Sequence, residues 1–204
     1  VSHLKNAFSE HIANPEVKII VLKANGEAFC AGADLSYLKE LQTNSFEENL
    51  ADSQHLRELF QMIYDSPKIV IAQVEGPAIA GGAGLAGVCD FIFAVPETKM
   101  AYTEVKIGFV PSLVMVFLIR KIGEGRARQL LLGAELISAQ EALDWGLINE
   151  LVEADKISER VSEFAFKLVE KNAGSSMALT KKMISEIQSM DLNSALDYAA
   201  KQNA

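Results

Sequence analysis

Apolar positions change their period several times along the chain. From Leu4 to Ile12 they recur at three- and four-residue steps, which predicts a helix that Asn14-Pro15 ends. VKIIVLKA (Val17 to Ala24) is instead a run rich in β-branched residues, the pattern of a buried strand. NGEAFCAGAD follows as turn and loop, opened by Asn25-Gly26. A short helix is expected over Leu35 to Gln42. A long amphipathic one is expected over Phe46 to Tyr64, where Ser45 and Glu48 stand at capping-box spacing, and Asp65-Ser66-Pro67 breaks it. KIVIAQV and FIFAV (Phe91 to Val95) read as second and third buried strands, and Leu113 to Leu132 as two helices divided near Gly123. Ser138 and Glu141 repeat the capping-box spacing before a helix that ends at Gly146. Leu147 to Val152 is strand or connector, and two or three helices fill the remainder. Strands come first and alternate with helices, and helices crowd the end, which is an α/β pattern.

One segment fits none of these periods. GPAIAGGAGLAGVCD (Gly76 to Asp90) holds five glycines and no charge before its last residue. A membrane span needs about 20 apolar residues in a row, and Asp90, the flanking prolines and the glycines interrupt this one. Gly82, Gly84 and Gly87 spell the dinucleotide fingerprint G-x-G-x-x-G, with Glu104 at about the 20-residue distance of its acid. The context is wrong, however. Six residues separate Val74 from Gly81, whereas the dinucleotide turn follows its strand at once. Two readings stay open on these residues alone. One is tight packing of a small-residue helix. The other is a helix start whose free N–H groups hold an anionic oxygen, with glycines admitting the ligand to the backbone.

Composition narrows the partners. The chain has 204 residues, half of them hydrophobic, and a formal net charge of −8. That balance argues against nucleic acid and anionic membranes as main partners. Cys30 and Cys89 sit in apolar company and read as reduced, buried thiols of a cytoplasmic protein. His3, His11 and His55 have no cysteine or acid cluster around them, so no metal site is expected. Ser36 and Ser112 lack a nucleophile elbow. Arg126 and Arg128 suit surface or subunit contacts, Trp145 the core, and Lys181-Lys182 a solvated face. The helical pattern is already under way at Val1 and has no stop at the end, so both ends are expected to be incomplete.

A second small-residue segment, EAFCAGADL (Glu27 to Leu35), also lies on a loop after a strand. Together the two segments resemble the paired signatures of the crotonase, or enoyl-CoA hydratase/isomerase, superfamily. Its F-x-A-G-x-D-[LI] loop is matched by Phe29, Ala31, Gly32, Asp34 and Leu35. PKIVIAQVEGPAIAGG resembles its glycine-triplet segment, with Ala80 in place of one glycine. CDFIFAVPETKMAYTEVKIGFVP continues the likeness through Glu104, Gly108 and Pro111, and GAELISAQEALDWGLINELV resembles a later helix–turn–strand block. The resemblance implies a spiral of ββα units over residues 1–152, a helical region over 153–204, and a homotrimer or dimer of trimers. It also implies an acyl-CoA thioester substrate, with coenzyme A as part of that substrate and no separate cofactor. The backbone N–H groups of Ala33 and Gly81 would hold the thioester oxygen. Ala31, Gly32, Asp34, Gly82, Gly84, Tyr102 and Phe109 would line the substrate, although strand packing accounts for Tyr102 and Phe109 equally well.

Hydratases of this family commonly use two glutamates. The second matches Glu104, and Gly84 stands where the first is expected. Glu104 could then act alone in hydration, or could shuttle a proton in a double-bond isomerisation. A polar side chain from the Phe46–Tyr64 helix (Glu48, Asp52 or His55) could instead replace the missing acid, or those three could simply form a solvated face. A catalytically silent acyl-CoA-binding protein is the non-enzymatic alternative. SFEENLADSQHL, GAGL and TEVKIGFVP resemble a bacterial branch of methylglutaconyl-CoA hydratases in leucine breakdown. Hydration of a short or branched 2-enoyl-CoA is therefore the expected activity, with 3-methylglutaconyl-CoA as the named candidate.

Overall fold

The computed structural model describes residues 1–203. Helix α1 (Ser2–Ala13) leads into strand β1 (Ile19–Leu22), shorter than the apolar run because only these four residues pair with the next strand. Helices α2 (Leu35–Leu41) and α3 (Phe46–Tyr64) follow. The Ser45–Glu48 capping box forms as its spacing predicts. Strand β2 (Ile69–Val74) is buried along its whole length. Next come β3 (Ala78–Ile79), α4 (Gly81–Gly87), β4 (Phe91–Ala94) and β5 (Lys99–Ala101). A single 3-10 turn over Glu104–Ile107 precedes α5 (Ser112–Gly133), which is broken at Gly123, where φ is 78°. Strand β6 (Ile137–Ser138), α6 (Ala139–Asp144) and β7 (Glu150–Leu151) lead to α7 (Ile157–Lys171), α8 (Gly174–Ile187) and α9 (Leu192–Asn203).

The strands form a parallel sheet in the order β1-β2-β4-β7 and a smaller sheet in the order β3-β5-β6. The pleat sends alternate residues to opposite faces. Val70, Ala72, Val74, Ile92 and Ala94 face the main core with α3, α4 and α5. Ile69, Ile71, Phe93 and Val95 face Ile157 and Val161 of α7, where Phe164 packs on Phe91 and Phe93 at 4.9 and 5.1 Å. A strand buried on both sides reads as a continuous apolar run, which is why KIVIAQV stands out in the sequence.

The C-terminal helices are pinned by charge as well as by apolar packing. Lys181 on α8 lies 2.7 Å from the Asp90 carboxylate and also donates to the carbonyls of Ile63 and Lys68. Its side chain is only 10% exposed, so the solvated face expected for it is corrected to a buried ion pair; Lys182 stays on the surface. Asp90 also accepts from the Val70 N–H. Lys181→Ala strips the counter-ion from a mostly buried carboxylate, and such losses cost about 3 kcal/mol. The expected result is a lower urea midpoint at an unchanged m-value. A midpoint equal to wild type would mean that water replaces the ammonium freely.

Candidate active site

Strand register brings the site together. Ala78 and Ile79 of β3 pair in parallel with Met100 and Ala101 of β5, and Cys30 bridges Ala78 in parallel on the other side. Three segments thus run the same way, in step at Cys30, Ala78 and Met100. Ala33, Gly81 and Glu104 follow these in-step residues by three or four positions, in the loop, helix start and turn that leave the same end of this small sheet. Neighbouring strands lie about 4.8 Å apart, so the segments that carry the three residues leave adjacent strand ends, although some 70 positions separate the first from the last. Carboxyl ends of parallel strands are where open α/β sheets place their ligands.

The glycines explain how two loops approach so closely. A Cβ at Gly76 would stand 2.1 Å from the Glu27 carbonyl oxygen, and one at Gly82 would stand 2.0 Å from that of Cys30. Hydrogen bonds then join the two loops, from Cys30 N–H to the Pro77 carbonyl at 3.3 Å and from Ile79 N–H to the Cys30 carbonyl at 2.9 Å. Gly32 has φ of +94°, and a methyl group there would lie 4.0 Å from the Gly81 nitrogen. Before α4 the chain turns at Ala80 (φ 51°, ψ −123°), held by its N–H on the Ala101 carbonyl at 2.7 Å. That is strained backbone for a residue with a Cβ, and glycine would relax it. Among the described residues, neither the Ala33 nor the Gly81 N–H has a protein acceptor. A Cβ at Gly81 would meet nothing within 4 Å, so this side of the loop is open to a ligand.

Glu104 begins the 3-10 turn, its carbonyl receiving the Phe109 N–H at 3.0 Å. Its carboxyl is half-buried, and Oε2 has no hydrogen-bond partner. Burial pushes its pKa above the ordinary glutamate value, only partly opposed by a backbone hydrogen bond. A desolvated carboxyl without a partner suits proton transfer.

Several residues expected to line the substrate also have structural roles. Tyr102 is 1% exposed, its hydroxyl lies near Gly87, and burial followed by the Glu104 charge pushes its pKa up. It packs the core behind Glu104, whereas Phe109 is half-buried beside it. Gly82 and Gly84 are buried and serve close packing. Asp34 is the N-cap of α2: its carboxylate accepts from the Ser36 N–H at 2.7 Å and the Tyr37 N–H at 3.4 Å, and these bonds with the Ser36 hydroxyl hold its pKa down. Ala31 stays exposed on the loop.

The place of the missing acid is closed. A Cβ at Gly84 would stand 2.2 Å from Val114 Cγ1 and 3.3 Å from Phe60 Cε2. The α3 residues considered as its replacement are engaged elsewhere. Glu48 completes the capping box, His55 meets Ser2 and Lys5 of α1, and Asp52 accepts from the Tyr37 hydroxyl. At the far end of α4, Lys121 donates to the carbonyls of Gly87 (3.1 Å) and Cys89 (2.6 Å), a cation at a helix C-terminus, and burial lowers its pKa. No sequence signal marked that contact. A cavity of about 720 Å³ opens beside it, between Tyr64, Phe117, Lys121, Met177 and Lys181, and does not include Ala33, Gly81 or Glu104.

Residues 1–203 match the family model described as enoyl-CoA hydratase/isomerase. A Thermus thermophilus protein provisionally named an enoyl-CoA hydratase is 42% identical over 201 residues, covering 98% of this chain and 79% of that one. The crotonyl-CoA hydratase of Syntrophomonas wolfei is 31% identical, covering 97% of this chain and 75% of its own. The crystal structure of an enoyl-CoA hydratase from Shewanella pealeana superposes with a TM-score of 0.93 at 30% identity, over 98% of this chain and 75% of that one. With the whole described length inside the family model, and a fold that superposes on a solved enoyl-CoA hydratase, the chain belongs to the enoyl-CoA hydratase/isomerase family and is a crotonase-fold enzyme.

Proposed function

We propose that this enzyme adds water to a short or branched 2-enoyl-CoA thioester. The observation that carries the reading is the pair of unpartnered amides, Ala33 and Gly81, on touching loops with Glu104 at the neighbouring strand end. As water bonds to the β-carbon, the double-bond electrons move onto the thioester oxygen. Charge grows there, and two fixed donors stabilise it more in the transition state than in the ground state. Removing one such donor typically costs ~3–4 kcal/mol in the barrier. The Glu104 carboxylate takes a proton from the attacking water and returns it to the α-carbon as the enolate collapses. One carboxyl is then enough, in keeping with the closed position at Gly84.

The likeness of GAGL and TEVKIGFVP to the methylglutaconyl branch makes 3-methylglutaconyl-CoA the named candidate. Double-bond isomerisation is the second reading, favoured by the single acid. Incubation with crotonyl-CoA and 3-methylglutaconyl-CoA separates them. Loss of the conjugated-thioester absorbance is the expected result. No loss with either, together with a gain from a 3-enoyl-CoA, would replace hydration by isomerisation.

Val105, Ile107, Val110, Leu132 and Leu136 are large apolar side chains left exposed near the site and α5. They support a homo-oligomer, read as a trimer or its multiple by light scattering. Among the described residues no helix is long and apolar enough to cross a membrane; a cytoplasmic setting is part of the proposal.

A further inference from the structure

The two amide donors are not held alike. Gly81 opens a helix whose Gly82, Ala83 and Gly84 are buried under α5 and the Cys30 loop. Ala33 instead precedes α2, on which Ser36, Tyr37, Lys39 and Glu40 are exposed and Leu38 and Leu41 only half-buried. None of these described side chains is fully buried, so apolar packing by them anchors α2 weakly. Among the described residues, two side-chain hydrogen bonds tie α2 to α3: the Tyr37 hydroxyl donates to the Asp52 carboxylate, and Asn49 Nδ2 donates to the Leu41 carbonyl at 2.9 Å. Asn49 acts at the far end of α2, whereas Tyr37 lies one turn from Ala33 and its own N–H sits on the Asp34 cap. Helix α3 is firmly rooted. Leu59, Phe60 and Ile63 are in the core, and Phe60 Cε2 lies 3.3 Å from where a Cβ at Gly84 would be. A continuous mechanical path thus runs from the Ala33 loop through Tyr37, Asp52 and Phe60 to the helix that carries the other donor.

We infer that Tyr37 and Asp52 are positioning residues for the Ala33 amide: their hydroxyl–carboxylate bond sets α2 against α3 and so aims one of the two donors at the substrate oxygen. The kinetic side of this inference rests on the hydratase reading; the structural side does not. A hydrogen bond to a charged acceptor is among the stronger kinds, and a reacting group displaced by about 1 Å can lose ~10²-fold in rate. Asp52 raises the Tyr37 pKa to about 12, chiefly through this bond, so the hydroxyl keeps its proton, and the tie persists, across the neutral range.

The test uses Tyr37→Phe, Asp52→Ala and Asp52→Asn in the full chain. Deuterium exchange of peptides spanning 33–41 and 81–87 is measured alongside crotonyl-CoA kinetics. Tyr37→Phe and Asp52→Ala should each speed exchange over 33–41 by about 10-fold and leave 81–87 unchanged, since a charge-assisted bond is worth about that factor. Turnover should fall about 10-fold with KM within about 3-fold, because the lost interaction belongs to the transition state. The double variant should be no worse than either single one, and Asp52→Asn, which keeps an acceptor oxygen, should recover part of the loss. Unchanged exchange over 33–41 overturns the positioning role whatever the kinetics. Unchanged turnover in Tyr37→Phe, with turnover lost in Glu104→Gln, overturns the kinetic claim while hydration stands. A wild-type enzyme inert toward enoyl-CoA would remove the hydratase reading instead, and exchange would still decide whether the bond holds α2.

Discussion

Glu104→Gln is expected to bind crotonyl-CoA about as tightly as wild type while turnover falls at least ~10²-fold, the ordinary contribution of a positioned acid–base group. The amide keeps the shape of the half-buried side chain but cannot carry a proton from water to the α-carbon. The same account fixes a pH profile. The reacting form is the carboxylate, and burial moves its pKa upward from 4.5. Turnover in wild type should therefore rise with pH through an apparent pKa above 4.5, and that limb should vanish in the variant. Stability moves the opposite way. A carboxyl with a raised folded-state pKa favours the fold at low pH, and that contribution is lost as pH rises through the raised value. Glu104→Gln should then be at least as stable as wild type at neutral pH. A variant with wild-type turnover, or with the acid limb intact, would take Glu104 out of the mechanism.

Gly84→Glu, which restores the acid usual in two-glutamate relatives, is expected to break the protein. The new Cβ would stand 2.2 Å from Val114 Cγ1 and 3.0 Å from Val114 Cβ. Valine is branched at that carbon and cannot swing aside. Overpacking of this kind costs about 1–3 kcal/mol, and a buried carboxylate without a partner costs several more. A combined loss of about 4 kcal/mol or more would consume much of the ~5–15 kcal/mol that holds a domain together. Gly84→Ala isolates the steric part and should cost about 1–3 kcal/mol. Val114→Ala in the Gly84→Glu background should restore part of the stability by removing the colliding methyls. A soluble Gly84→Glu enzyme with a wild-type urea midpoint would show that the Val114 contact gives way. These variants test why position 84 holds no acid: the space has gone to Val114 of α5.

Local signals carried much of the fold. Ser45 with Glu48, and Ser138 with Glu141, form the capping boxes their spacing predicts, and Phe46–Tyr64 has the bounds the sequence suggests. Gly123 divides α5 because its φ of 78° lies outside the helical range. The short strands were not legible. Two or three residues, as in β3, β5 and β6, show no period, yet the parallel register of β3 with β5 and with the Cys30 loop sets Cys30, Ala78 and Met100 in step, three or four positions before Ala33, Gly81 and Glu104. The glycine stretch was ambiguous between packing and a backbone donor site; it packs closely, and its Gly81 N–H has no protein acceptor among the described residues. Gly76 and Gly82 admit the neighbouring loop, while Gly81 faces open space. Tyr102, left open between acyl pocket and packing, and Lys181, read as a solvated face, share one difficulty. Each lies on a segment with an exposed side, and only tertiary contacts decide that the tyrosine turns to the core and the lysine to Asp90.

The central claim is that two main-chain donors from separate loops grip a single thioester oxygen. A crystal structure of Glu104→Gln with bound crotonyl-CoA tests it most directly. The account predicts the carbonyl oxygen within about 2.7–3.2 Å of both the Ala33 and Gly81 nitrogens. An oxygen seated on other groups, or either nitrogen bonded instead to a protein carbonyl, would contradict it.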